Sequence, residues 1–204
     1  GDLAFIVEHI KNVTGNIPYA IIGYSLGANV LLKWLGETGK ENPVQKAVAV
    51  SVPFRLHDAA RRLEVGISRI YRNHLLASLR QTYESKFKNI DSPLDVDVKR
   101  LESFWDYDDK VTAPLHGFTD AQQYYDSCSS RQFLKDIAVP TMVIHAANDP
   151  FMFESTAPDP EELSRDVEFL LTRHGGHVGF VSGVFPFFTG YWCEERTIDF
   201  LAEN

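Results

Sequence analysis

Residues 23–27 read Gly-Tyr-Ser-Leu-Gly, set between the apolar run Pro18-Tyr19-Ala20-Ile21-Ile22 and a helix-like stretch from Ala28 to Glu37. A buried strand, a tight Gly-x-Ser-x-Gly turn and a helix together make a nucleophile elbow, which lifts a serine hydroxyl clear of the C-terminal edge of a sheet. The turn is sharp, and the reading has both Gly23 and Gly27 letting neighbouring backbone pass close by. Ser25 is then the candidate nucleophile, and the Leu26 N–H, at the start of the helix, is aimed at a developing oxyanion. The five-residue pattern alone is common; its flanking strand and helix give it weight.

A net charge of −8 argues against a nucleic-acid partner. Two cysteines, Cys128 and Cys193, supply neither a disulfide framework nor metal-ligand spacing, which fits a reducing, cytoplasmic setting. Asn12-Val13-Thr14 is a formal glycosylation sequon, but nothing else looks secreted. No apolar run approaches the roughly 18 residues needed to span a bilayer. The chain starts Gly-Asp-Leu without Met, so targeting information upstream stays open.

Asp2 can cap a first helix that ends at Gly15-Asn16. After the elbow, Gln45–Val52, Thr141–His145 and Val167–Thr172 read as β-branched strands, and Tyr191–Ala202 as a final helix. Strands alternating with helices imply a parallel sheet with helices on its faces. Residues 53–140 are far more than one crossover needs. The expected organisation is therefore a core of residues 1–54 and 140–204 interrupted by a mainly helical cap over 55–139. From Arg55 to Lys88 the insertion carries eight Arg or Lys against Asp58, Glu64 and Glu84, a local net charge of +5. Ile67, Ile70, Tyr71, Leu75 and Leu79 follow helical spacing there. Two readings stand: a solvated helix packing its apolar side on the core, or a basic cap that guides an anionic or membrane-associated substrate.

A serine hydroxyl needs a base, and the base needs a partner that fixes its tautomer. With a serine on an elbow, the acid and the histidine follow in that order. Ala146-Ala147-Asn148-Asp149-Pro150 succeeds the third strand, and Asp149 is the first carboxylate there. Arg173-His174-Gly175-Gly176-His177-Val178-Gly179-Phe180 follows the last strand. His174 lies two residues past that strand, whereas the glycines place His177 on a turn able to reach back over Ser25; His177 is preferred. The His-Gly-Gly string resembles an oxyanion loop of some esterases, but such a loop precedes the serine, and here it follows. His145 reads as a strand-end residue packed near the acid loop, and histidines 9, 57, 74 and 116 as structural.

Several linked motifs in order resemble the YheT-like branch of the α/β-hydrolase superfamily, the AB hydrolase 4 family. They are GYSLGAN (23–29), VSVPF (50–54), Asp108-Asp109 with Thr112-Ala113 and His116-Gly117-Phe118, Tyr124-Tyr125 with Cys128-Ser129, HAANDPFM (145–152) and HGGHVGF (174–180). Ala28 departs from the second glycine usual after the elbow. The resemblance implies an α/β-hydrolase fold, a charge-relay triad of Ser25, Asp149 and His177, and hydrolysis of carboxylic esters on acyl or lipid-like small molecules. No metal or organic cofactor is implied. Amide or thioester cleavage on the same triad, and a non-catalytic binding scaffold, are the alternatives. Phe104, Trp105, Phe118, Phe180, Phe185, Phe187 and Phe188 could line an acyl pocket or equally fill a core. Full members carry earlier strands and a loop donating the second oxyanion N–H, so the resemblance leads to two expectations. The nucleophile strand has an open sheet edge, and turnover falls roughly 10²–10³-fold.

Overall fold

The computed structural model describes residues 1–184 and 188–203. In chain order the first elements are helix α1 (Asp2–Thr14), strand β1 (Ala20–Tyr24), helix α2 (Leu26–Thr38) and strand β2 (Lys46–Val50). Helices α3 (Leu56–Leu63), α4 (Ser68–Lys86), α5 (Phe104–Tyr107), α6 (Ala113–Leu115) and α7 (Ala121–Cys128) follow, with a π-helical turn at Asp108–Thr112. The chain then returns through β3 (Thr141–Ala146), β4 (Val167–Thr172), the hairpin strands β5 (Val181–Val184) and β6 (Phe188–Tyr191), and helix α8 (Trp192–Ala202).

Strands β1 to β4 form a parallel sheet in the order β1-β2-β3-β4. A parallel sheet covered on both faces needs apolar residues at successive positions rather than alternate ones. Lys46-Ala-Val-Ala-Val50 obeys this. Ala47 and Ala49 pack with Leu31, Leu32, Leu35, Leu134 and Val143, while Val48 and Val50 pack with Met142, Ile144, Phe180 and Cys193 on the other face. The hairpin β5–β6 is antiparallel and separate from this sheet; its strand signal went unread because glycine and serine interrupt it.

The chain divides into two units, the first comprising residues Gly1–Phe54, Ser129–Asp149 and Phe153–Asn204, the second Arg55–Cys128 and Pro150–Met152. This differs from an insertion running to residue 139. Residues 129–139 stay with the sheet because Leu134, Ile137 and Val139 are buried in the cluster beneath α2.

Within the second unit, α4 corrects a sequence expectation. Ile67, Ile70 and Tyr71 are 69%, 67% and 46% exposed, so the first part of the expected stripe does not pack on a core, whereas Leu79 further along it packs against the cluster of Leu76 and Tyr83. The buried side of the helix runs instead through Ser68, Leu76 and Tyr83, with Leu76 and Tyr83 joining Val98, Leu101, Tyr107 and Val111. Arg62 Nη1 and Ser68 Oγ hydrogen-bond at 2.7 Å, and Ser68 donates to the Pro150 carbonyl at 2.6 Å; these bonds turn Ser68 inward and Ile67 outward.

Of the aromatic residues read as pocket candidates, Phe180 is core, and Phe104 packs against the cluster of Leu76 and Tyr107. Trp105 and Phe118 belong to ring pairs with His57, Tyr125 and Tyr124. Phe185 and Phe187 lie outside the described residues, and Phe188 is described as backbone of β6 only.

Candidate active site

Strand β1 runs into Ser25, which adopts φ 51° and ψ −124°, and α2 begins at the next residue. A positive φ at a non-glycine residue is strained by about 1–3 kcal/mol and persists only where the surroundings hold it. Here the holding contacts are visible. Ser25 N–H donates to the Val50 carbonyl at the end of β2 (2.9 Å), and the Ser25 carbonyl accepts from Ala28 and Asn29 N–H (3.0 and 3.2 Å). Gly23 is required for the turn: a Cβ there meets Ala28 Cα and the Gly27 carbonyl oxygen at 2.8 Å. Gly27 is not required for space, since a Cβ there meets nothing within 4 Å, which corrects the paired-glycine reading.

The Asp149 loop leaves β3 and is tied down by Ala147 N–H to the Thr172 carbonyl (2.8 Å) and Asp149 N–H to the Ala146 carbonyl (3.1 Å). The His177 loop leaves β4 beside it. His177 Nδ1 lies 2.8 Å from Asp149 Oδ2, and His177 Nε2 lies 2.7 Å from Ser25 Oγ. The structure thus brings the three sequence candidates into one hydrogen-bonded run, with the Asp149 side chain 1% and the His177 side chain 14% exposed. If the Asp149 carboxylate is the acceptor on this edge, the proton between them belongs to Nδ1, and Nε2 is left to accept from the Ser25 hydroxyl. Leu26 is the first residue of α2, where backbone N–H groups have no intrahelical acceptor. His174 is exposed and takes no part in the run. Among the described residues no group of three or more His, Cys, Asp or Glu is placed to hold a metal ion.

A family model described as the alpha/beta hydrolase fold matches residues 1–184. This chain belongs to the α/β-hydrolase family. YheT of Escherichia coli (strain K12) is 39% identical to this hydrolase-family chain over 204 residues, covering 98% of the chain and 60% of YheT. Monoacylglycerol lipase ABHD2 of Homo sapiens is 32% identical over 201 residues, covering 89% of the chain and 47% of the relative. The chain therefore spans about half to three-fifths of the length of these relatives. Among solved structures, the esterase Pf2001 of Pyrococcus furiosus superposes with a TM-score of 0.53 at 18% identity, over 98% of this chain and 59% of that one. That likeness shows the shared fold.

One residue of the candidate site, Asn148, escaped the sequence reading, whereas His145 packs near the acid loop as its strand-end position suggested. Asn148 Oδ1 accepts from both Gly175 N–H and Gly176 N–H, each at 3.0 Å, and so clips the histidine loop to the acid loop. An Asx side chain beside an acid invites this reading only once the two loops are known to be neighbours. His145, on β3, is 3% exposed between Phe54 and Phe169, at ring distances of 5.7 and 6.4 Å. Burial holds its imidazole below the ordinary histidine value, against the attraction of Asp149 and in concert with the repulsion of His177. The residue is a packing group beside the site. No helix among the described residues is long and apolar enough to cross a membrane.

Proposed function

We propose that this chain carries the reacting groups of a carboxylic-ester hydrolase acting on acyl or glycerolipid esters, with Ser25 as nucleophile, His177 as base and Asp149 as its orienting acid. The observation that carries this reading is the hydrogen-bonded run from Asp149 Oδ2 through His177 to Ser25 Oγ, with contacts of 2.8 and 2.7 Å. Ser25 Oγ attacks the ester carbonyl as its proton passes to His177 Nε2, and Asp149 stabilises the imidazolium. The carbonyl oxygen gathers the developing negative charge, which the Leu26 N–H faces at the positive end of α2. His177 then gives its proton to the departing alcohol, leaving an acyl-serine. A water, deprotonated by the same nitrogen, adds to the acyl carbon, and His177 returns the proton to the departing Ser25 Oγ as the acid is released. The human relative's name, monoacylglycerol lipase, supports glycerolipid esters as the first substrates to try.

A fluorophosphonate probe tests the reading. Labelling should appear on the folded chain, vanish in Ser25→Ala with thermal unfolding nearly unchanged, and fall steeply in His177→Ala. Labelling that persists in Ser25→Ala, or its absence from the demonstrably folded chain, overturns the assignment. A matched panel of esters, thioesters and anilides then assigns the acyl bond, because all three share the tetrahedral intermediate.

A further inference from the structure

We infer that the N-terminal end of α4 is a docking surface for an anionic lipid bilayer. The surface is built within seven residues. Val65, Ile67, Ile70 and Tyr71 are 55%, 69%, 67% and 46% exposed, and the last three share one helical face opposite the buried Ser68–Leu76–Tyr83 side. Isolated exposed aliphatics are ordinary; four large apolar side chains gathered on one exposed turn are not. In the same stretch of chain lie Arg69, exposed, and Arg61, whose side chain is 64% exposed.

Charge identifies the occupant. Residues 55–88 carry +5 although the whole chain carries −8. The nearby acids are already engaged: Glu64 with Arg72, and Asp58 between Arg55 and Arg61 at 4.0 and 3.9 Å. Simple net-charge reasoning predicts repulsion from an anionic membrane. Screening reverses that conclusion, because the Debye length is about 8 Å at physiological ionic strength and the bilayer responds only to charges close to it. Branched apolar side chains with arginines at their flank are the composition that settles in the headgroup region, apolar groups inward and guanidiniums at the phosphates. An acidic protein partner would use the charge but leave Ile67 and Ile70 without a role.

The turn is also held in shape before docking. Arg62 and Pro150 fix Ser68 from two sides, and the Tyr71 ring packs on Phe151 with centroids 5.0 Å apart. Little ordering entropy is then lost on contact. The inference concerns adsorption alone and stands apart from the proposed chemistry, so the two can fail separately.

Flotation of the 204-residue chain with vesicles of phosphatidylcholine, or of phosphatidylcholine and phosphatidylglycerol in equal parts, tests it. The chain should float with the anionic vesicles only, and less as salt is raised. The double variant Ile67→Ser/Ile70→Ser should lower the partition coefficient about ten-fold or more. Arg61→Gln and Arg69→Gln should each lower it about five-fold. All four positions are exposed, and unchanged thermal unfolding verifies that each variant is folded. Absent flotation, equal flotation with both vesicle types, or indifference to both sets of variants overturns the inference. Retention on immobilised polyglutamate without flotation also overturns it, in favour of an acidic protein partner.

Discussion

A methyl group on Gly23 has nowhere to go, because the atoms it meets at 2.8 and 2.9 Å are the backbone of Gly27 and Ala28, the very turn that carries Ser25 forward. Gly23→Ala should therefore cost about 2–4 kcal/mol of stability, the range of overpacking at a rigid site. Gly27→Ala should leave the unfolding midpoint within about 1 °C, or raise it slightly through helix propensity. Paired thermal melts check both, and equal losses would mean that the elbow relaxes differently from the structure. Asn148 is a positioning residue in the same sense, acting on His177 through the loop that bears it. Asn148→Ala removes two acceptor contacts to backbone N–H groups, each worth about 0.5–1.5 kcal/mol. If His177 is the base, as proposed, kcat should fall about ten-fold with KM little changed, because the loop that holds it loosens while substrate contacts persist. Asn148→Asp keeps both acceptors and should recover most of the loss. An equal loss in both variants would assign the residue to folding alone.

At the level of elements, strand β3 carries its own pH dependence. Burial holds His145 below its ordinary value, so the native state disfavours the imidazolium. The sign follows directly: the stability contributed is fully present above the unfolded value of about 6.5 and is lost as pH falls towards the depressed folded value. The melting temperature should thus decline between about pH 7 and pH 5, and His145→Leu, which cannot ionise, should flatten that decline. Parallel slopes for the two proteins would remove His145 as the cause. The elements themselves were legible in the sequence to different degrees. Strands β2, β3 and β4 were readable because a sheet buried on both faces writes an unbroken apolar run, as in Lys46–Val50 and Thr141–Ala146. Ser25, Asp149 and His177 were readable because each follows a strand end, where a loop must turn at the sheet edge. The outward stripe of α4 was not. Helical spacing marks an apolar face without saying which neighbour covers it, and tethers from Arg62 and Pro150 decided the rotation. The Asn148 clip was equally hidden, since it depends on the parallel pairing of β3 with β4 that sets two loops side by side.

For the whole molecule, self-association is set by two opposed features. Among the described residues β1 pairs only with β2, leaving one ladder edge open, and Ile22 and Tyr24 on that strand are 42% and 45% exposed. An apolar edge of this kind recruits further strands. The net charge of −8 opposes it by mutual repulsion. Charge asymmetry adds a competing route, because a +5 segment at residues 55–88 could meet the acidic remainder of another copy. Salt separates the two. If the β1 edge governs, screening the repulsion should strengthen association. If the opposite charges govern, added salt should weaken it. Exposed apolar surface is indifferent to screening whereas long-range repulsion is not, so we expect light scattering at fixed concentration to show growing mass with rising salt. Ile22→Lys places a charge on the edge, the device by which natural sheets discourage pairing, and should hold the chain monomeric across the same series. Mass that falls with salt would assign self-association to the charged surfaces instead of the sheet, and mass that ignores Ile22→Lys would remove the β1 edge as its cause.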